Sequence, residues 1–343
     1  MLTALLPKLR CPACTGRLEA HAFRRSGERI LDGVLVCVFC AAAYPIDTSL
    51  LELVAPPLAD EEGRACFARR FSQELSAIAV TWERTNAATD GVAAQLAQRR
   101  HFDWFAENAT QSYAQYQASA FWVAEDALTF DRWRHRLSTT TWVLDVGCAN
   151  GRSAWPLLPS GATIIGCDIS AKLVRQAIAR AEAEDVADRT SFLVADCDHL
   201  PFADDSFECV VTYGVLHHLP DPAGACREIQ RVLTRGGTHF GSENNRTIFR
   251  AIFDWMMRRR PLWIEEAGAE PLISEAMLRA WTRGLPVHIQ CLTSVFVPPH
   301  LVNVAGHRFA IGLLDVSDRL ARLVPLLGRQ GGLLVFEVEK IAA

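Results

Sequence analysis

The chain has 343 residues, half of them apolar, a formal net charge of −4 and eleven cysteines. That length exceeds one ordinary domain and supplies a sizeable core, which predicts one large domain with a smaller companion. The mild negative charge argues against a basic nucleic-acid coat, and no apolar run reaches the roughly 20 residues of a membrane-spanning helix.

The start, Met1 to Lys8, lacks a basic region and a long apolar stretch, so no export signal is expected. Residues 1–57 read as a zinc ribbon. Cys11-Pro12-Ala13-Cys14 is followed, after twenty-two residues, by Cys37-Val38-Phe39-Cys40. Each Cys-x-x-Cys turn presents two thiolates, and two such turns fill a tetrahedral Zn2+ shell with no position left for water. Such a site is structural, and in a unit with little core the metal supplies stability. A redox or disulfide pair is the alternative, but a redox Cys-x-x-Cys usually stands alone. The other seven cysteines, scattered from Cys66 to Cys291, read as reduced thiols and so point to the cytoplasm. Between the pairs, Asp32-Gly33 reads as a turn entering a short strand, and Pro56-Pro57 closes the unit.

Residues 58–136 are rich in Ala, Glu, Gln and Arg and read as a helical linker or lid. Their aromatic residues, from Phe102 and Trp104 to Phe130 and Trp133 with Tyr113 among them, suit either core packing or a pocket lining. Residues 137–343 read as an α/β domain. Strands are expected at 141–146, 163–168, 191–195, 208–213 and 237–242, with helices at 171–184 and 222–233. A helical insertion at 246–284 interrupts the alternation, and Val287–Ser294 and Gly332–Lys340 complete seven strands. The expected fold is a seven-stranded, doubly wound Rossmann-like parallel sheet under a helical lid.

The chemistry-bearing residues sit at the strand ends. The first strand runs through Asp145 and Val146 into Gly147-Cys148-Ala149-Asn150-Gly151, where glycines let the backbone approach a ligand. Alone, that turn would also suit a dinucleotide. The second strand ends in Gly166-Cys167-Asp168, placing an acid where ribose hydroxyls are bound. The third ends in Ala195-Asp196-Cys197. The fourth runs into Tyr213-Gly214-Val215-Leu216-His217-His218, and the turn Arg235-Gly236-Gly237 follows. No Tyr-Lys, His or Cys set of a nicotinamide enzyme accompanies them.

This succession, over about 140–242, resembles the class I S-adenosylmethionine-dependent methyltransferases, in particular the group of ubiquinone, menaquinone and natural-product methyltransferases. The ribbon, with Ala43-Tyr44-Pro45-Ile46-Asp47 after its second cysteine pair, resembles the zinc-ribbon adaptor that activates some tRNA and protein methyltransferases. The resemblance implies that Asp145 and Gly147 contact the methionine part of S-adenosyl-L-methionine, with Cys148, Ala149 and Gly151 completing the loop. It implies Asp168 on the ribose, Ile169 against the adenine, Asp196 on the adenine amino group and Cys197 offering its amide. Tyr213 should face the methyl-transfer end. Two positions depart from the pattern: Ala149 replaces a loop glycine, tolerable if its φ stays negative, and Glu208 replaces an aspartate.

In such a reaction the protein mainly positions the acceptor and excludes water. A base is needed only for a hydroxyl, protonated amine or carbon acid. His217 and His218 are the candidates, with Tyr213 in a positioning role. The acceptor pocket is expected between the 102–133 layer and the insertion, whose Phe249, Phe253, Trp255, Met256, Met257 and Trp263 suit a small lipophilic or planar acceptor; Asn244 and Asn245 are placed to orient it. Arg258-Arg259-Arg260 reads as a solvated helix end or a contact for an anionic surface, without stable membrane association. Two other functions fit the outline. One is an rRNA or tRNA methyltransferase gripping RNA through the ribbon, but residues 1–55 hold six Lys/Arg against five Asp/Glu, which argues against nucleic acid. The other is a non-catalytic cofactor-binding scaffold whose ribbon recruits a protein partner or a second copy.

Overall fold

The computed structural model describes residues 1–78, 92–262 and 271–341. The ribbon contributes β1 (Leu18–Ser26), β2 (Arg29–Cys37), β3 (Ala43–Asp47) and β4 (Leu50–Glu52). The chain reverses between β1 and β2 at Gly27, whose φ is +54°. The turn expected at Asp32-Gly33 is not there: both residues lie inside β2, opposite a register shift in β1. Gly33 is needed for close strand approach, since a Cβ would stand 2.5 Å from the His21 carbonyl oxygen. Asp32 is buried and accepts from Arg24 Nε and the Thr48 amide.

Helices α1 (Glu61–Arg70), α2 (Ser72–Ile78), α3 (Ala93–Asn108), α4 (Thr110–Gln117) and α5 (Ala120–Arg134) follow. The α/β region then runs β5 (Trp142–Val146), α6 (Ala154–Leu157), β6 (Thr163–Asp168), α7 (Ala171–Ala183), β7 (Thr190–Val194), β8 (Phe207–Tyr213), α8 (Pro222–Val232) and β9 (Leu233–Asn244). It closes with α9 (Arg250–Arg259), α10 (Glu275–Trp281), β10 (Val287–Ser294), α11 (Pro299–Ala305), α12 (His307–Arg322) and β11 (Leu333–Lys340). Helices α3 and α7 pack together, and Phe121 and Ala124 of α5 share an apolar cluster with Val302 and Leu314 of α11 and α12.

The seven strands β5–β11 lie in the order β7-β6-β5-β8-β9-β11-β10. The first five of that order are parallel, but β11 runs antiparallel to both neighbours, so the sheet is mixed rather than wholly parallel. Gly241 makes the β9–β11 pairing possible, because a Cβ there would fall 2.0 Å from the Phe336 ring.

The ribbon continues this sheet. Strand β4 pairs in parallel with β7, Leu51 opposite Leu193 and Glu52 opposite Val194, which extends the sheet to eleven strands. A second seam runs through Leu9, opposite Phe202, where the Ala203 amide donates to the Lys8 carbonyl at 2.7 Å and the Arg10 amide to the Pro201 carbonyl at 2.9 Å. Leu5, Leu9, Tyr44 and Leu51 belong to the same apolar core as Leu144, Ile165, Leu193 and Phe207. Ribbon and sheet should therefore unfold together. Leu51→Ala, which empties a fully buried position at the seam, is expected to cost about 2–5 kcal/mol and to lower one calorimetric transition; a separate ribbon transition would contradict this.

Candidate active site

The turn after β5 is held by its own backbone. The Gly147 and Cys148 amides both donate to the Cys167 carbonyl at the end of β6, at 2.8 and 3.0 Å. Gly147, Ala149 and Gly151 have φ of +71°, +46° and +88°. Ala149 thus takes the left-handed conformation, outside the negative φ at which alanine is readily tolerated, at a cost of about 1 kcal/mol for a residue with a Cβ. Two contacts hold it there: its amide donates to Asp168 Oδ2 at 2.9 Å, and its methyl packs with Phe102, Phe105 and Leu173 of α3 and α7.

A cavity of about 1060 Å³ opens above this turn. Gly147, Cys148, Ala149, Asp168, Ile169, Asp196, Cys197, Tyr213, His217 and His218 all line it. Asp145 and Gly151 do not. Gly151 is demanded by packing, since a Cβ would sit 2.0 Å from the Trp155 ring. Asp145 is fully buried behind Ser153, whose hydroxyl donates to it 2.7 Å from either carboxylate oxygen; Ser153 lines the cavity in its place. The direct contact expected of Asp145 is therefore replaced by a supporting one. Burial pushes the Asp145 carboxyl up to about 7.

Asp168 is aimed by two amides, Ser170 on Oδ1 at 2.8 Å and Ala149 on Oδ2 at 2.9 Å, while burial raises its pKa. Asp196 accepts from the Asp198 amide at 3.0 Å, and His199 Nδ1 lies 3.2 Å from its other oxygen. A carboxylate with amides on its inner lone pairs keeps outer ones for hydroxyl or amino hydrogens. The donor set therefore fits a ribose and an adenine amino group.

The Tyr213 hydroxyl donates to the α5 carboxylates Glu125 and Asp126, 2.7 Å from Asp126 Oδ1. Arg152 Nη2 donates to Asp126 at 2.9 Å, and its guanidinium stacks 4.6 Å from Trp122 and 4.8 Å from Tyr213. Burial, reinforced by Asp126, pushes the Glu125 carboxyl up to about 7, and burial pushes the Tyr213 phenol well up. Tyr213 is thus a donor and a positioning group, not a base.

His217 Nδ1 lies 2.6 Å from Glu243 Oε2. The other Glu243 oxygen accepts the Val215 and Leu216 amides at 3.0 and 2.7 Å. Nδ1 is thus engaged by this carboxylate, and Nε2 is the opposite ring nitrogen. His218 differs: burial, with His217 and His101 beside it, pushes its pKa down to about 3. It stays neutral, edge-on to Phe102 at 5.4 Å. Glu125, Asp126, Arg152 and Glu243 were not singled out in the sequence. Arg152 follows the glycine turn, and Glu243 is the penultimate residue of β9, just before Asn244; those positions were the only signals.

The aromatic layer divides. Phe102, Trp104, Phe105, Tyr116, Phe121 and Trp122 line the cavity, whereas Phe130 and Trp133 are core; the Tyr113 side chain lies outside the described residues. From the insertion, Phe249, Ile252, Phe253 and Leu262 line the cavity. Trp255 instead is exposed and Met257 buried, neither in the lining with Met256, and Trp263 lies outside the described residues. Asn244 and Asn245 both reach the wall, and the Asn245 amide donates to the Gly331 carbonyl at 2.7 Å.

The four ribbon cysteines converge away from this cavity. Their sulfurs all lie within 4.8 Å of one another, with Cys14–Cys37 at 3.4 Å and Cys11–Cys40 at 3.6 Å. A tetrahedron of Zn–S bonds needs sulfurs about 3.8 Å apart, and an all-thiolate set selects zinc over hard cations. The Tyr44 hydroxyl, 3.1 Å from Cys11 Sγ, supports one ligand.

Residues 144–241 match the family described as Methyltransferase domain, and residues 3–49 the one described as Trm112p-like protein. Methyltransferase GfsG of Streptomyces halstedii is 43% identical over 96 residues, 28% of this chain and 34% of its own. The chain thus spans about a third of that relative's length. Demethylmenaquinone methyltransferase of Lactiplantibacillus plantarum is 28% identical over 182 residues, 51% of this chain and 76% of its own. Among solved structures, the [4+2]-cyclase SpnF superimposes with a TM-score of 0.52 at 19% identity, over 73% of this chain and 97% of that one; this likeness is one of fold. The chain therefore carries a class I methyltransferase domain behind a Trm112p-like ribbon.

The buried Asp145 makes a pH signature. Its folded pKa, about 7, lies above the ordinary aspartate value of about 3.9, so between these values the folded state holds a proton that the unfolded chain has lost. Its contribution to stability is present at low pH and is lost as pH rises through 7. Denaturant unfolding from pH 5 to pH 8 is expected to show a smaller loss of stability in Asp145→Asn than in the wild type; equal losses would count against this placement.

Proposed function

We propose that this protein transfers a methyl group from S-adenosylmethionine to a small lipophilic or aromatic acceptor, with His217 as the base. The observation that carries the reading is the His217–Glu243 pair on the wall of the cavity that Asp168 and Asp196 also line. When bound, the cofactor supplies a methyl already activated for in-line displacement. Asp168 would hold the ribose hydroxyls, Asp196, Cys197 and Ile169 the adenine, and the Gly147 turn with Ser153 the methionine part.

The chain's own residues do the rest. Phe249, Phe253, Leu262 and Phe296 give the acceptor side an apolar wall, which favours a lipophilic molecule and excludes water. Tyr213 and Arg152, fixed through Asp126, orient the acceptor. His217 Nε2 takes the proton that a hydroxyl, amine or carbon acid must lose, and Glu243 stabilises the resulting imidazolium. The ribbon serves this site in cis: β4 braces β7, and the Leu53 amide donates to the Val194 carbonyl two residues before Asp196. Its near-neutral charge supports a small molecule over RNA as acceptor. No described helix is long and apolar enough to cross a membrane.

Calorimetric titration should show cofactor binding that weakens at least about tenfold in Asp168→Ala, in line with loss of a charged hydrogen-bonding partner. With labelled-methyl cofactor and fractionated host extract, label is expected in organic-soluble small molecules; label in RNA, or no cofactor binding, would overturn the reading. With the acceptor so found, His217→Ala should lower kcat by roughly 10²–10⁴-fold at unchanged cofactor affinity. His218→Phe should lower it far less, and the reverse order would move the base to His218.

A further inference from the structure

The face formed by α9, α11 and α12 is exposed among the described residues. Ile248, just before α9, and Ile252 and Trp255 on it recur at helical spacing and are exposed. On α12, whose opposite side packs on α5, Phe309, Val316, Leu320 and Leu323 form a second exposed stripe. Leu323 is 78% exposed, and nearby Val304 and Leu326 are 74% and 86% exposed. Contiguous apolar surface of this kind marks a site that meets something apolar. The elements are tied into one face: the Ile248 amide donates to Gln330 Oε1 at 3.0 Å, just past α12, and His300 Nε2 of α11 donates to the Arg260 carbonyl at 2.8 Å, where α9 ends.

The charge on these elements is predominantly positive. Residues 248–260 and 299–329 contain eight arginines and three aspartates, in a chain of net charge −4. Arg258, Arg259 and Arg260 close α9, with Arg259 5.3 Å from the Trp255 ring, and Arg308 stands 5.8 Å from the Phe309 ring. On α12 the charged positions Arg308, Asp315 and Arg319 run beside the apolar stripe and not through it. An apolar stripe flanked by arginines, with a tryptophan at the boundary, fits the interface plane of an anionic bilayer. A two-fold contact with a second copy would instead set the arginine clusters against themselves.

Residues of these same elements also line the cavity, and Ile252 belongs both to its lining and to the exposed stripe. Phe249, Ile252 and Phe253 of the α9 segment, with Pro298, Pro299 and Leu327 from the α11–α12 side, line both its wall and the approach to it.

We propose that this face docks reversibly on an anionic lipid surface, so that a lipophilic acceptor passes from the bilayer into the cavity. The passage rests on the methyltransferase reading above; the docking does not. Flotation of the full chain with phosphatidylcholine vesicles, with and without phosphatidylglycerol, tests it. The wild type is expected to float with the anionic vesicles and to stay behind with the neutral ones. Arg258→Gln/Arg259→Gln/Arg260→Gln should weaken partitioning by about 100-fold, some fivefold per arginine. Leu320→Glu/Leu323→Glu should abolish it, with an unchanged thermal transition because both positions are exposed. Cofactor titration on the same samples separates the two ideas: no flotation with intact cofactor binding overturns the docking alone. A vesicle-independent dimer that Leu320→Glu/Leu323→Glu dissolves would assign the face to a second copy and overturn it too.

Discussion

Strand β7 stands at the edge of the parallel sheet, and everything at the cofactor side depends on how that edge is closed. An open strand edge presents unpaired amides and carbonyls, and this one leads directly into Ala195-Asp196-Cys197. The ribbon closes it: β4 pairs with Leu193 and Val194, the Leu53 amide continues the ladder, and Leu51 enters the core beside Leu193. The four-cysteine cluster begins at Cys11, next to the Leu9–Arg10 seam with the sheet. Zinc held there would stiffen the ribbon, which pairs the strand edge that leads into Asp196.

The other shared device is the carboxylate that aims something else, buried at Asp145 and Glu243 and half-buried at Asp126. Asp145 takes the Ser153 hydroxyl, Glu243 orients His217 and two amides, and Asp126 fixes Arg152 and Tyr213. Asp145 and Asp126 sit one step behind residues on the cavity wall, and Glu243 lies on it beside His217. Burying a carboxylate is costly unless its oxygens are satisfied, and here every one has donors from the site it supports. The wall is therefore held by polar bonds as much as by packing. The likeness to the [4+2]-cyclase SpnF is a reminder that such a frame supports more than one chemistry, so the residues on the wall decide the reaction.

Much of this was legible in the sequence because it is local. The alternation of strands and helices, the glycine turn, Asp168, Asp196 and the cysteine spacing all follow from short stretches of chain. What was not legible depends on distant partners. Glu125 and Tyr213 are 88 positions apart, and no periodicity links them. Asp32-Gly33 has turn composition, yet the strand partner His21 decides its geometry. Alanine is readily tolerated at negative φ, yet the Ala149 amide bond to Asp168 and its packing under α3 hold it left-handed. The antiparallel β11 and helices α11 and α12 likewise follow from tertiary packing.

The order of these parts along the chain has a consequence for biosynthesis. Domains form as units while the chain emerges, at roughly 5–20 residues per second. The ribbon leaves the ribosome first, but its sheet partner β7 begins only at Thr190. For something on the order of ten seconds, β4 with Leu51 and Leu53 has no strand to pair with. Covalent linkage then guarantees the right partner at high effective concentration, one ribbon for each sheet whatever the level of expression. A zinc-starved cell would meet this protein's weakness early, on the nascent chain, before any cofactor site exists to be lost.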